Sequence, residues 1–351
     1  MNRVFVHGCG AVSPAGWGTG PLREALAAGN AAVAQSVARP GWEKGLRMRR
    51  VPSPDARPSF FAHGRLRRAS PISQYVVGAA LEALGGDAQA VTGGKLRLGV
   101  VLCVMTGCVN YSRRFYDEVL RDPATASPVV FPETVFNAPA SHLASLLGTP
   151  AMNYTLVGDP GTFLQGIALA AQWLLDGRVD GCVVAGAEEC DWLVPDAFRL
   201  FSRGITLSDG GGALYLKCAA EGSPAAELRA ITSPHLFTLR QTRAQAALRL
   251  RAELPACTGT QLLVDGLQGA KRFDADEEAA WRDWCSTRVS PKRVLGEGLT
   301  AAAAWQCVAA VEAVREGKYS GASVSVVGCN EQAIGAHFVK AKNGNGNGGA
   351  G

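Results

Sequence analysis

Two helical stretches that are apolar on every side constrain this 351-residue chain more than any other feature. Gly161–Leu175 places Phe163, Leu164, Ile167, Leu169, Trp173 and Leu174 all around its circumference, and the Ala-rich Leu299–Arg315 does the same with Trp305, Val308 and Val311. A helix without a polar face is buried on all sides. Neither stretch reaches the ~18 consecutive apolar residues that cross a bilayer, and Gln172 interrupts the best run, Ile167–Leu175. Both helices must therefore lie between layers of other structure. The layers are close by: strands Tyr154–Val157 and Cys182–Ala185 flank the first helix, and Ser323–Val327 and Ile334–Val339 follow the second. One greasy helix with apolar strands in each half predicts a layered α/β architecture with an internal duplication.

The remaining pattern fits two such halves. A strand over Arg3–Val6 enters a Gly-rich turn, and a helix over Pro21–Ala28 ends at Gly29. Ala38 to Arg68 reads as a long Pro- and Arg-rich loop. Ser70–Leu84 is an amphipathic helix, Leu98–Val104 a buried strand, Asn137–Leu147 a helix and Ala213–Lys217 a strand. The alternation then restarts with strand Ala226–Ile231, helix Gln241–Leu254, strand Gln261–Val264 and helix Asp274–Cys285. The halves are expected at 1–225 and 226–341, with 342–351 a disordered Gly/Asn tail. Apolar residues at 47% and charged residues at 19% exclude a chain disordered throughout.

The ten cysteines form no C-x2-C pair, and no histidine stands at ligand spacing, so buried reduced thiols are expected and neither a metal nor a cofactor. The N-terminus shows no basic-then-apolar leader, which predicts a cytoplasmic protein without membrane insertion. Arg39 to Arg68 holds nine basic residues against Glu43 and Asp55, in a chain of net charge +5. Few aromatics interleave with these charges, so an acidic protein partner is expected rather than nucleic acid.

Several stretches resemble the β-ketoacyl synthases of the thiolase superfamily. Val4-Phe5-Val6-His7-Gly8-Cys9-Gly10-Ala11-Val12-Ser13-Pro14 is similar to their opening V-x-x-T-G-x-G-x-V-S-P, and Leu22–Val33 to the helix and turn that follow. Ala126–Pro132 and Asn137–Ala140 resemble the segment before the family's nucleophile, Leu164–Ala170 its nucleophile helix, and Gly181–Glu188 the strand after it. Arg293–Ala304 and the last strands resemble the end of the second half. The resemblance implies a thiolase-like five-layered α-β-α-β-α fold. It also implies chemistry in which a cysteine thiolate carries the acyl chain, two histidines support decarboxylation of a carrier-bound malonyl unit, and backbone N–H groups hold the oxyanion.

The residues in those slots are different. Leu164-Gln165 sets Pro160 in the cysteine slot, and no cysteine occurs between Cys108 and Cys182. Proline offers neither a nucleophile nor an N–H. Asp159-Pro160 instead reads as a helix start, with Asp as N-cap and Pro at the first helical position. The first histidine slot meets Asp265 in Val264-Asp265-Gly266, and the second meets Glu297 in Gly296-Glu297-Gly298; no histidine lies between His235 and His337. The family's closing Gly-Phe-Gly-Gly loop becomes Gly328-Cys329-Asn330-Glu331.

By resemblance, such a chain is a chain length factor of a type II polyketide or aryl polyene system. It would be inactive alone, pair with an active β-ketoacyl synthase and shape its partner's acyl tunnel. Met105, Thr106, Asn110, Phe115, Tyr116, Phe131 and Phe136 are the tunnel and interface candidates, with Tyr154–Val157 crossing the two-fold. Arg47, Arg49, Arg50, Arg65, Arg67 and Arg68 are the candidates for docking an acyl carrier protein. Two other readings stand beside this one. Asp159, Asp265 and Glu297 converge as an acid/base or metal-binding centre of rewritten chemistry, or pair with Lys271, Lys292 or Arg293; alternatively the chain is a non-catalytic homodimeric acyl-binding scaffold.

Overall fold

The computed structural model describes residues 3–201, 204–218 and 224–341; the expected tail, 342–351, lies outside the described residues. The ten long-sheet strands are β1 (Val4–Ser13), β2 (Leu98–Val104), β3 (Met152–Val157), β4 (Gly181–Glu188), β5 (Gly210–Lys217), β6 (Ala226–Ile231), β7 (Gln261–Val264), β8 (Arg288–Val289), β9 (Gly321–Val327) and β10 (Gln332–Val339). The helices that matter here are α1 (Thr19–Ala28), α2 (Pro71–Leu84), α3 (Val109–Arg121), α4 (Ala138–Leu146), α5 (Thr162–Leu175), α6 (Arg243–Glu253), α7 (Lys271–Ala280) and α8 (Thr300–Arg315).

Strand order repeats. The first five strands run β3-β2-β4-β5-β1 and the second five β8-β7-β9-β10-β6, with the same senses in each: three parallel strands, then two antiparallel steps. Antiparallel pairing of Val4–Val6 with Ala226–Leu228 joins the two arrays edge to edge.

α5 and α8, the two all-apolar helices, fill the space between the arrays. Ile167, Trp173, Trp305, Val308 and Val311 share one core with Val101, Val184, Val324 and Val326. α2 and α4 cover the outer face of the first array, while α6 covers the second with Trp281 and Trp284 just beyond α7. This is the expected α-β-α-β-α stack, and it places the N-termini of α5 and α8 in the middle of the molecule.

The first strand is longer than Arg3–Val6, because Gly8 and Gly10 continue it rather than turn it. A Cβ on Gly10 would stand 1.9 Å from the Ala79 carbonyl oxygen, and one on Gly8 2.0 Å from that of Ala83. Glycine here lets α2 lie directly on the strand. The Ala38–Arg68 loop contains a strand, Leu46–Arg49, paired with Gln35–Val37 and Leu207–Ser208. α7 begins and ends earlier than Asp274–Cys285, since Trp281 and Trp284 turn inward beyond its end. α3 was not anticipated. Cys257 and Cys285 correct the expectation of thiols throughout: they form a disulfide with Cα atoms 6.1 Å apart. Their 28-residue separation gives no spacing signal; the loops that carry them meet beside the β7–β8 pairing.

Candidate functional site

The loop before α5 carries the first predicted position. Pro160 is buried and its carbonyl accepts from the Phe163 N–H. Having no N–H, it leaves nothing to donate toward the inner end of the helix. Asp159 beside it is 1% exposed. Its Oδ1 accepts from Gly161 N at 3.0 Å and Gln332 Nε2 at 3.3 Å, and its Oδ2 from the N–H groups of Glu331 and Gln332, both at 3.2 Å. Burial pushes the Asp159 carboxyl above its ordinary value, opposed by the Gln332 donors.

Asp159 therefore does more than cap. The helix begins two residues later than an Asp159 N-cap would give, at Thr162 with Gly161 before it, and the carboxylate clamps the α5 loop to the turn between β9 and β10. The turn is shaped to receive it: a Cβ on Gly328 would fall 1.8 Å from Asp159 Oδ2. The Glu331 N–H of the closing loop and the Gln332 N–H that follows it thus face a resident carboxylate.

Asp265 follows β7 and has no exposed surface. Oδ2 accepts from Arg288 Nε at 3.0 Å, and Oδ1 from Ser290 Oγ at 2.6 Å and Leu267 N at 3.2 Å. Burial raises this carboxyl, with Ser290 and Arg288 opposing. A second buried acid, Glu277 on α7, stands near it. Glu277 Oε1 accepts from Ser325 Oγ at 2.6 Å and Gly266 N at 3.0 Å. Burial first, then the Asp265 charge, pushes Glu277 up to about 7.

Glu297 precedes α8. Its Oε2 accepts from Lys292 Nζ at 2.7 Å, and its Oε1 from Leu299 N at 2.9 Å. Lys292 and Glu297 side chains are 2% and 1% exposed. Burial works against the Lys292 charge, but Glu297 outweighs it and holds the ammonium above its ordinary value. Leu299 is held at φ 52°, the only non-glycine residue at positive φ among those described. Cys329 lies near both clamps, its Sγ 4.0 Å from Met105 Sδ. Burial, Glu297 and Asp159 push its thiol up to about 12, so it is protonated at neutral pH.

The three predicted positions are thus each tied to separate partners. Of the cations weighed for them, Lys292 takes Glu297; Asp265 takes Arg288, which sequence reasoning missed together with Glu277. Lys271 and Arg293 make no ion pair with these acids among the described residues. No three His, Cys, Asp or Glu side chains of the described residues stand together as metal ligands. The carboxylates of Asp159, Asp265 and Glu297 already accept from two or more donors each, which makes them poor general bases.

The tunnel candidates lie around α3. Met105 N and Thr106 N donate to buried Glu188, and Asn110 N to Glu189 at 2.8 Å. Phe115 packs on Phe131 with ring centroids 5.4 Å apart, and Phe136 lies over Gly107. Tyr116, Phe131 and Phe136 are exposed, as is Tyr154 on β3, whose outer edge pairs with no described strand. Among the docking candidates, Arg49 donates to the Arg293 carbonyl at 3.2 Å and Arg50 stands 3.6 Å from Asp209, so both are engaged within the fold. Arg47, Arg65, Arg67 and Arg68 are exposed. Arg65 and Arg68 rim a cavity of about 670 Å³ floored by Val129, Val130 and His142. No helix among the described residues is long and apolar enough to cross a membrane.

Residues 1–222 match the family model for the β-ketoacyl synthase N-terminal domain. A mitochondrial Schizosaccharomyces pombe chain assigned as a 3-oxoacyl-(acyl-carrier-protein) synthase is 24% identical over 224 residues, 59% of this chain and 51% of the relative, so the match spans about half of that protein's length. Among solved structures, a β-ketoacyl synthase from Burkholderia phymatum STM815 superposes with TM-score 0.80 at 17% identity over 97% of this chain and 100% of the other. The ishigamide ketosynthase/chain length factor gives 0.78 at 18%, with the same coverage of both chains. A chain from a type II PKS acyl-carrier protein in complex with its ketosynthase gives 0.75 at 17%, over 97% and 99%. At these identities the likeness establishes the fold.

Proposed function

Because the chain belongs to the β-ketoacyl synthase family while Pro160, Asp265 and Glu297 stand in its reactive slots, we propose that it is a non-condensing, chain length factor-like subunit that pairs with an active β-ketoacyl synthase. The observation that carries this reading is the Asp159 clamp. The N–H groups of Glu331 and Gln332 point at a resident carboxylate, and Pro160 has no N–H to donate. An oxyanion forming there would meet negative charge where acyl transfer requires N–H donors.

The partner would cover the open edge of β3 and the aromatic surface formed by Phe131, Phe136 and Tyr154. Met105, Phe115, Phe131 and Phe136 would then limit how far a growing acyl chain extends, with Thr106, Asn110 and Tyr116 shaping the wall beside them. An acidic acyl carrier protein would approach Arg47, Arg65, Arg67 and Arg68; the internal bonds of Arg49 and Arg50 leave them a supporting part. The two halves would be 1–225 and 226–341, each repeating one strand order.

The test is co-expression with a cysteine-bearing β-ketoacyl synthase from the same source. A 1:1 complex that extends malonyl units, with product length shifted by Phe131→Ala or Phe136→Ala, is expected. The isolated chain is expected to release no CO2 from a malonyl carrier. Turnover by the chain alone, lost in Glu297→Gln, would establish a rewritten enzyme instead.

A further inference from the structure

The cysteines divide by environment in a way that singles out one pair. Cys9, Cys103, Cys108, Cys182, Cys190 and Cys307 are buried thiols, and Cys218 and Cys329 are partly covered. Burial raises the pKa of all eight, so little thiolate exists to react with an oxidant. The disulfide lies instead at the surface, with Cys285 exposed and Cys257 half-buried. Redox chemistry on this chain is thereby confined to one accessible bond.

That bond closes across a weak place. Cys257 sits between α6 and β7, and Cys285 between α7 and β8. β8 is a two-residue strand at the edge of the sheet, paired only through Leu263–Arg288 and Val264–Val289. Besides the disulfide, Ser286 Oγ donating to the Gly259 carbonyl at 2.9 Å is the hydrogen bond that spans the two loops. Three residues past Cys285, Arg288 begins the segment that holds buried Asp265 through Arg288 Nε, Ser290 Oγ and the carbonyl of Val289.

We propose that Cys257–Cys285 is a reversible redox clasp that sets how firmly the β8 segment holds Asp265, a role independent of the proposed partnership. A small thiol attacks the exposed sulfur of Cys285 as its thiolate, forming a mixed disulfide and releasing Cys257 as a thiolate that takes up a proton. A second small thiol, as thiolate, attacks its own half of that mixed disulfide and frees Cys285. The balance is one protein disulfide and two small thiols converted to two protein thiols and one small disulfide; the reverse exchange with a small disulfide closes the clasp. Open, the loops at 254–260 and 281–290 lose their covalent link, and Arg288 and Ser290 separate more readily from Asp265.

The experiment equilibrates the full chain in glutathione buffers from fully oxidised to fully reduced. Alkylation with peptide mapping counts free thiols, and amide hydrogen exchange reads local opening. In the oxidised buffer two of the ten cysteines, Cys257 and Cys285, are expected to resist alkylation in the denatured protein. On reduction, exchange over 284–290 is expected to rise about tenfold or more while that of α5 stays unchanged. Cys257→Ser/Cys285→Ser should exchange like the reduced chain in every buffer. Ten alkylated cysteines at the oxidised end would overturn the bond, and equal exchange over 284–290 in the two states would overturn its control of the segment.

Discussion

Lys292 and Glu297 face each other 2.7 Å apart with almost no access to water, so neither charge has an alternative partner in solvent. Glu297→Ala leaves a buried ammonium alone and is expected to lower stability by about 3–5 kcal/mol in urea unfolding. Replacing both, as Lys292→Met/Glu297→Leu, removes the charges together and should recover most of that loss. Glu277 makes the opposite kind of demand. Its pKa lies near 7 in the fold against 4.5 in an unfolded chain, because burial and then Asp265 favour the protonated form. The folded state thus binds the proton more tightly, and this contribution to stability is complete below about 4.5 and lost as pH rises toward about 7. Glu277→Gln should remove that decline, raising the unfolding midpoint at pH 8 relative to the parent and little at pH 4. Asp265 and Glu297 were legible in sequence because they interrupt motifs, and Pro160 because proline excludes both nucleophile and N–H. Lys292 was among the cations weighed and does hold Glu297, but the groups around Asp265 were not legible: Arg288 reaches it through strand pairing, and Glu277 arrives from a helix with no local link to it.

At the scale of elements, period and length identified α5, α8, β2 and the restarted pattern, since a helix or strand buried on both sides carries its environment in its composition. Glycine misled at the first strand. Its local meaning is a turn, but at Gly10 it marks where α2 lies so close that a Cβ would stand 1.9 Å from the Ala79 carbonyl oxygen, a property of two elements together. Gly10→Ala tests this. The added methyl reduces unfolded-state entropy by about 0.5–1 kcal/mol in the protein's favour, yet it runs into the Ala79 backbone of α2 and cannot be relieved by a rotamer change. A net loss of about 3 kcal/mol or more is expected, read as a lowered Tm, whereas Gly20→Ala on α1, with nothing within 4 Å of the added methyl, has no contact to break. α3 was missed although Val109, Phe115, Tyr116, Val119 and Leu120 stand at helical spacing; none of its residues is buried and the rest are polar, so the dense apolar composition that announces α2 is absent.

For the whole molecule, the open question is what covers β3. The strand is six residues of Met-Asn-Tyr-Thr-Leu-Val without a charge, ending a ten-strand path, with Tyr154 58% and Val157 54% exposed. Free edges of this kind are usually blunted by lysine, proline or brevity, because they pair with any extended chain they meet. The opposite edge obeys that rule: β8 is only two residues long. An edge left long and apolar, with Phe131 and Phe136 also exposed, fits a surface that is covered when the protein works. Tyr154→Lys/Val157→Lys puts two charges on this edge at the cost of one contact with the core, the edge-on packing of Tyr154 against Trp173 at 6.2 Å between ring centroids. Its unfolding free energy should fall by no more than about 1.5 kcal/mol, leaving the chain folded. Its association with the active synthase, followed by sedimentation of the mixed proteins, should fall at least tenfold, because burying two unpaired ammonium groups at the centre of an apolar contact opposes binding strongly. A variant that unfolds normally and still sediments wholly with the synthase would move the partnership to another face, and the steric role of the α3 aromatics would then lose its physical basis.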